Sequence, residues 1–335
     1  MLLEKITQTF GVSGREKPVV DLLIGELKAY ADDIGVDALG SCTVTKYGRG
    51  ERKKRVMIAS HIDQIGFCVT GVDAKGFVRV RAVGGISAVT SHCGRVVFQN
   101  GVKGVMYSEE SDWSKNDFEK LYIDIGAKDR EDALSMISLG NMAAYEGSLV
   151  SLANGRYLSR AFDDRIGAYI MVESFKRLAQ PYNDLFFSFS VQEEVGIRGT
   201  KVAAHRIAPD VGLAFDIGGA YDTPGCRIAD MGQSELGKGA AVKIIDGHMI
   251  SDERLNRFLI SVAEENSIPY QIEVASGGGT DGAMIQLAQE GVPSTTISIP
   301  TRYGHSMSEM IDIHDVNACI DLCAAFCDGE IRLAT

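Results

Sequence analysis

The stretch LFFSFSVQEEVGIRGT, residues 185–200, decides how the chain is read. Leu185 to Ser190 form a short aromatic-rich run without Gly or Pro, as a buried strand requires. The run passes into Gln192, Glu193 and Glu194, and Gly196 and Gly199 then break it. Neighbouring side chains on a strand point to opposite faces, so at an ordinary strand end one glutamate of such a pair reaches water. If both are buried, each costs several kcal/mol unless protonated or matched by positive charge. Arg198, the nearest cation in sequence, cannot neutralise two carboxylates.

Around this strand, helix and strand alternate. Helices are expected over 164–178, 198–205, 251–265, 281–290 and 315–330, and strands over 185–191, 211–216, 240–245, 270–274 and 294–299. Upstream come a helix over 15–30, short strands at 35–38 and 42–46, and the buried strand VMIAS at 56–60. The pattern indicates an α/β fold, a three-layer α/β/α sandwich around a mainly parallel mixed sheet. From about 70 to 157 the texture changes. GFVRVRAV, CGRVVF, GVKGVMY and LYIDIGA are short β-like pieces between glycine-bearing turns, and EESDWSKNDFEK reads as a mobile or exposed loop. The expected organisation is a main α/β domain of residues 1–69 and 158–335 with a small β-rich domain, PDZ-like or barrel-shaped, at 70–157.

The 335 residues carry a net charge of −11, which argues against nucleic acid or anionic membrane as a partner. No basic segment followed by an apolar one opens the chain, and no apolar run approaches the roughly 18–20 residues of a spanning helix. A cytoplasmic protein is expected. Seven cysteines, none in a C-x-x-C pair, fit a reducing compartment. Cys319, Cys323 and Cys327 share one helical face and read as core residues. The basic cluster GRGERKKR at 48–55 reads as a solvated turn.

Five places put His, Asp or Glu at the carboxyl end of an expected strand or just beyond it. They are His61 with Asp63, Asp163 with Asp164, Glu193 with Glu194, Asp216, and His305. Ligand sites of open α/β sheets form at that edge. Singly, each has a plainer reading: a helix cap at 163 or 164, a turn at 216, core histidines at 61 and 305. Together they make independent coincidence a poor explanation. Imidazole and carboxylate without thiolate suit a pair of divalent ions such as zinc, cobalt or manganese. Residues 61 and 63 share one face of an extended chain, so Asp63 is placed to orient the His61 ring. Asp163, Glu194 and Asp216 with one hydroxide would balance two such ions. Glu193 is then left over as an uncoordinated carboxylate able to move protons.

The motifs SHIDQIGF, AFDDRIG, VQEEVGIRGT, AFDIGGAYDTPG and GGGTDGAMIQLAQEGVPSTTISIPTRYGHSMSE occur in an order and spacing that resembles a known family. It is that of the dinuclear metallo-aminopeptidases that assemble into tetrahedral particles, the TET, deblocking and glutamyl aminopeptidases. The likeness covers essentially the whole chain, including the opening GVSGRE. It implies His61, Asp163, Glu194, Asp216 and His305 as ligands of two divalent metal ions, with Asp163 bridging. It further implies Glu193 as general base, Asp63 as support for His61, and a cis peptide between Asp163 and Asp164. Peptides with a free N-terminus are the implied substrates; the 70–157 insertion corresponds to the family's dimerisation domain, and the implied assembly is of dimers into a tetrahedral dodecamer. Two positions depart from the family pattern. Gln64 stands where many relatives carry an acid, and Met307 where a proline is frequent, a change expected to loosen that loop.

Other readings compete. Gly277, Gly279 and Gly282 match G-x-G-x-x-G, the dinucleotide-binding pattern of an NAD-dependent oxidoreductase. Against it, the strand STTISIP ends in Pro300, Thr301 and Arg302 rather than an acid. A glycosidase would use paired carboxylates, but adjacent strand residues point apart and both histidines stay unexplained. A related dinuclear amidase or deacylase would share all the metal chemistry.

Overall fold

A computed structural model describes residues 1–226 and 234–333. Two helices open the chain, α1 (Leu2–Gln8) and α2 (Lys17–Leu27), followed by strands β1 (Asp33–Val36), β2 (Cys42–Lys46) and β3 (Arg55–His61). Next come β4 (Gly66–Val72), β5 (Val78–Val83), α3 (Ala88–Ser91), β6 (Arg95–Phe98), β7 (Lys103–Ser108), β8 (Leu121–Asp124), α4 (Arg130–Met136) and β9 (Met142–Tyr145). Then follow β10 (Val150–Ser151), β11 (Arg156–Ser159), α5 (Phe162–Arg177), β12 (Asp184–Ser190), α6 (Arg198–Ile207) and β13 (Val211–Gly219). The last part holds β14 (Ala240–Ile245), α7 (Glu253–Glu265), β15 (Tyr270–Val274), α8 (Asp281–Gln286), β16 (Ser294–Thr301), β17 (Glu309–Asp312) and α9 (Ile313–Asp328).

Period-two alternation in β12 and β3 sets the layers. Leu185, Phe187 and Phe189, with Val56 and Ile58, pack into a core shared with α2, α5, α7 and α9. Phe186, Met57 and Ala59 face the other way, against Ala203, Ala204 and Ile207 of α6 and Ile285 of α8. Helices therefore cover both faces of one eight-stranded sheet, ordered β1-β2-β12-β3-β13-β16-β14-β15. Its centre, β12, β3, β13 and β16, is parallel, while β2 and β14 run antiparallel to their central neighbours. The carboxyl ends of the four central strands thus open on one edge. Cys319, Cys323 and Cys327 lie in the core under α9, as expected.

Strands β4 to β9 close into a six-stranded barrel, ordered β4-β5-β8-β7-β6-β9, around Phe67, Val80, Val96, Phe98, Met106 and Ile123. Phe67 meets Tyr145 edge to face at 5.1 Å. A small sheet, β10-β11-β17, ties the chain leaving the barrel to the strand after His305, with Ser159 opposite Glu309.

The glycine motif sits in a different setting from the one a dinucleotide needs. The strand after it, β16, is antiparallel to β14, and β14 is parallel to β15. No parallel βαβ unit surrounds Gly277–Gly282, so the oxidoreductase reading loses its structural basis. Helix α8 also stops at Gln286, short of 290. Gln289 and Gly291 have φ of 52° and 100°, and Val292 donates back to the Gln286 carbonyl, turning the chain into β16. Helix α1 was not legible in the sequence pattern. Among the described residues, no helix is long and apolar enough to cross a membrane.

Candidate metal centre

Each candidate residue reaches the carboxyl edge of the central strands by a separate route. His61 ends β3 opposite Ser190 of β12, and Asp216 lies within β13 opposite Ser298. Glu193 and Glu194 follow β12, Asp163 and Asp164 begin α5, and His305 follows β16. The Asp163–Asp164 peptide is cis, as the family likeness implied.

Asp163 stands between two imidazoles. Its Oδ1 is 3.1 Å from His61 Nε2 and its Oδ2 is 3.0 Å from His305 Nε2. His61 Nε2 is also 3.9 Å from Asp216, and His305 Nε2 is 3.5 Å from Glu194. Both rings are held the same way. Nδ1 of His61 lies 3.2 Å from the Asp63 carbonyl oxygen, and Nδ1 of His305 lies 2.7 Å from that of Gly85. With each Nδ1–H donated to a carbonyl, both Nε2 atoms point at the acids, where each shares a proton with Asp163 and could hold a cation in its place.

Gly85 belongs to the barrel segment after β5, so the inserted domain reaches the centre. Its neighbour Gly84 has φ of +86°, and a Cβ there would sit 2.7 Å from Ile65 Cγ2 and 3.1 Å from Glu194 Oε2. Only glycine fits both the conformation and the space. Met307, at one of the departures from the family pattern, packs against the barrel core and so gives the loop carrying His305 a contact with the inserted domain.

Asp63 does more than its spacing suggested. Its Oδ1 is 3.5 Å from the His61 ring, but the carboxylate mainly accepts the backbone N–H groups of Glu193 at 2.9 Å and Glu194 at 3.2 Å. The Ser13 hydroxyl donates to it at 2.6 Å, which gives the GVSGRE opening a place in the site. Glu16 of the same motif accepts the backbone N–H groups of Gly14 and Gln192. Two further acids went unassigned by sequence. Glu309 accepts the backbone N–H of Asp163, and Asp281 accepts the Ser190 hydroxyl. Arg165, fully buried, donates to the carbonyls of Ile62, Ile6, Thr9 and Gly11.

The field of the centre is negative. Burial, reinforced by the neighbouring acids Asp216, Asp281 and Glu194, pushes the Glu193 carboxyl up to about 10, even against His61. Burial raises Asp216 to about 8, and burial with the nearby Asp163 charge raises Glu194. For Asp163, hydrogen bonds from His305 and His61 outweigh burial and hold it below the usual carboxylate range. The bond to Asp163 correspondingly lifts His305 to about 11.

Ligand atoms of His61, Asp163 and Glu194 lie within 4.8 Å of one another, as do those of His61, Asp164 and Asp216. Asp164 already accepts the Ser60 hydroxyl at 2.6 Å and the Gly167 N–H at 3.1 Å. By contrast, Oε1 of Glu194 is buried with no hydrogen-bond partner among the described residues. Inward-pointing Nε2 atoms, an unpartnered buried oxygen and converging carboxylates fit divalent cations. The carboxylate of Glu193 makes no hydrogen bond among the described residues and lines a cavity of about 520 Å³. That cavity continues past Asp216 to Lys243 and Glu273, a buried ion pair at 3.1 Å.

A layered α/β domain with an inserted barrel and this His-carboxylate cluster defines a class of peptide hydrolase. The chain belongs to the M42 glutamyl aminopeptidase family, whose model matches residues 40–322, and it is an aminopeptidase. It is 34% identical to a lysyl aminopeptidase of Pyrococcus furiosus over 97% of this chain and 95% of that one. An aminopeptidase of Desulfurococcus kamchatkensis superposes with a TM-score of 0.94 at 36% identity, over 98% of this chain and 94% of that one. A TET peptidase of Pyrococcus horikoshii, which can assemble into a tetrahedron or a large octahedral shell, matches with a TM-score of 0.87 at 32% identity. That match spans 97% of this chain and 98% of the other.

Proposed function

We propose that the chain removes the N-terminal residue of peptides at a centre of two divalent cations, with Glu193 as the proton carrier. His61, Asp163, Glu194, Asp216 and His305 would hold the cations, Asp163 between them, and zinc, cobalt or manganese would suit this donor set. The observation that carries the reading is Asp163, with one carboxylate oxygen toward each imidazole. When bound, the cations supply Lewis acidity at the scissile carbonyl.

The chain's own groups do the rest. The centre would hold the free α-amine of the substrate, which an internal peptide bond does not offer, so cleavage would fall on the N-terminal residue. A Glu193 oxygen takes a proton from the attacking water as its oxygen bonds to the carbonyl carbon. It returns that proton to the departing nitrogen as the C–N bond breaks. Positive charge at the centre opposes the upward push that burial gives Glu193, bringing it toward the range a proton carrier needs.

The inserted barrel, whose strands run from Gly66 to Tyr145 and so begin before the expected bound at 70, would serve dimerisation within a larger homo-oligomer, and the layered domain would carry the reaction. The test is hydrolysis of an aminoacyl-p-nitroanilide panel with and without chelator, alongside N-acetylated counterparts. Cleavage of the free-amine substrates alone, lost with chelator and restored by zinc, cobalt or manganese, is expected. Chelator-resistant cleavage, or equal cleavage of acetylated substrates, overturns the reading.

A further inference from the structure

Glu309 is 1% exposed, and no cation pairs with it among the described residues. Its carboxylate reaches two backbone donors instead. Oε2 accepts the N–H of Asp163 at 3.0 Å, and Oε1 accepts the N–H of His305 at 2.9 Å. These donors belong to segments far apart in sequence, whose side chains meet Oδ2 to Nε2 at 3.0 Å.

Neither backbone would hold itself. Asp163, in the first turn of α5, has φ of −74° and ψ of 110°, outside the helical region, so the helix leaves its N–H for another acceptor. His305 has φ of 58°, in the left-handed region that disfavours a residue with a Cβ. Topology delivers the acid to both. The pairing of β11 with β17 sets Glu309 opposite Ser159, just before α5, and an isolated bridge from Arg302 to Met310 brings it beside the His305 loop.

We propose that Glu309 is a positioning residue, whose two carboxylate oxygens fix the backbones of Asp163 and His305 so that their side chains meet at the centre. The claim rests on the reading of those two residues as metal ligands. Both partners are N–H donors, so two acceptor oxygens are needed; an amide has one and would turn its own NH₂ toward the other donor. Asp63 makes the matching arrangement across the site, accepting the N–H groups of Glu193 and Glu194.

The full-length Glu309→Gln chain tests this by zinc affinity in equilibrium dialysis, thermal midpoint in chelator, and amide exchange of the peptides holding Asp163 and His305. Glu309→Asp, which keeps both oxygens on a shorter arm, is measured beside it. The expected result is zinc affinity about 10–100-fold weaker in the Gln chain, partly recovered in the Asp chain. Exchange should be faster at both peptides, with the chelated midpoint within a few degrees of wild type. Zinc affinity within twofold of wild type in the Gln chain overturns the role of Glu309 alone. Should the Gln chain not fold, the Asp chain decides: affinity at least fivefold weaker than wild type supports the role, and equal affinity overturns it. A wild-type chain that takes up no zinc overturns the metal reading and this proposal with it.

Discussion

Oδ2 of Asp163 lies 3.0 Å from Nε2 of His305, joining the start of a helix to the loop beyond a strand. The same carboxylate meets His61 on its other oxygen. Replacing it removes the one charge both imidazoles share. Asp163→Asn is expected to lower zinc content and cut aminoacyl-p-nitroanilide turnover by about 100-fold or more. Metal analysis and steady-state kinetics on one preparation check this, and a fully loaded, active variant would contradict it.

Glu193 lines the cavity but keeps its carboxylate free of hydrogen bonds among the described residues. Glu193→Gln should therefore bind zinc as wild type does and change KM little. Its kcat should fall by about 10²–10⁴-fold, the usual worth of a positioned proton carrier. Near-normal kcat would remove Glu193 from the reaction.

Arg165 joins the chain's first segment to the strand end that carries His61. Its guanidinium is the donor for the carbonyls of Ile62, Ile6, Thr9 and Gly11. Arg165→Met leaves buried acceptors without that donor and should cost about 3 kcal/mol or more. Urea unfolding measures the loss. Arg165→Lys, which keeps the charge but lacks the planar fork, should recover only part of it.

Asp315 accepts the N–H groups of Gly237 and Gly239, both at 2.7 Å, and burial raises its pKa to about 6. The folded chain thus holds this proton more tightly than the unfolded one. The associated stability is complete below the unfolded value of 3.8 and is lost as pH rises through about 6. Relative to Asp315→Asn, the wild type should lose stability between pH 4 and 7 and stay level above. Urea midpoints of the two chains across that range test the sign; a parallel pair of curves would refute it.

The layers were legible because short apolar strands such as β12 and β3 alternate with helices along the chain, and the edge of the sheet was legible because acids and histidines follow the apolar runs. What escaped was held by long-range backbone contacts. Glu309 and Arg165 stand inside two of the quoted motifs, but they act on N–H and C=O groups, which every residue offers, so the motifs gave no sign of their roles. Asp63 was expected to steer the His61 ring with its carboxylate, whereas its carbonyl oxygen lies nearer the ring and the carboxylate serves the glutamate loop. The glycine motif raised a rival because its local strand-loop-helix order is right; the missing acid after STTISIP spoke against it in the sequence, and the direction of β16, set by pairing across the sheet, does so in the structure.

Gly85 ties the inserted barrel to the His305 imidazole, and Met307 roots the same loop in the barrel's interior. The two modules are therefore not independent in chemistry. A tilt of one against the other re-aims an imidazole, so any contact that steadied the barrel would be felt at the centre beside it.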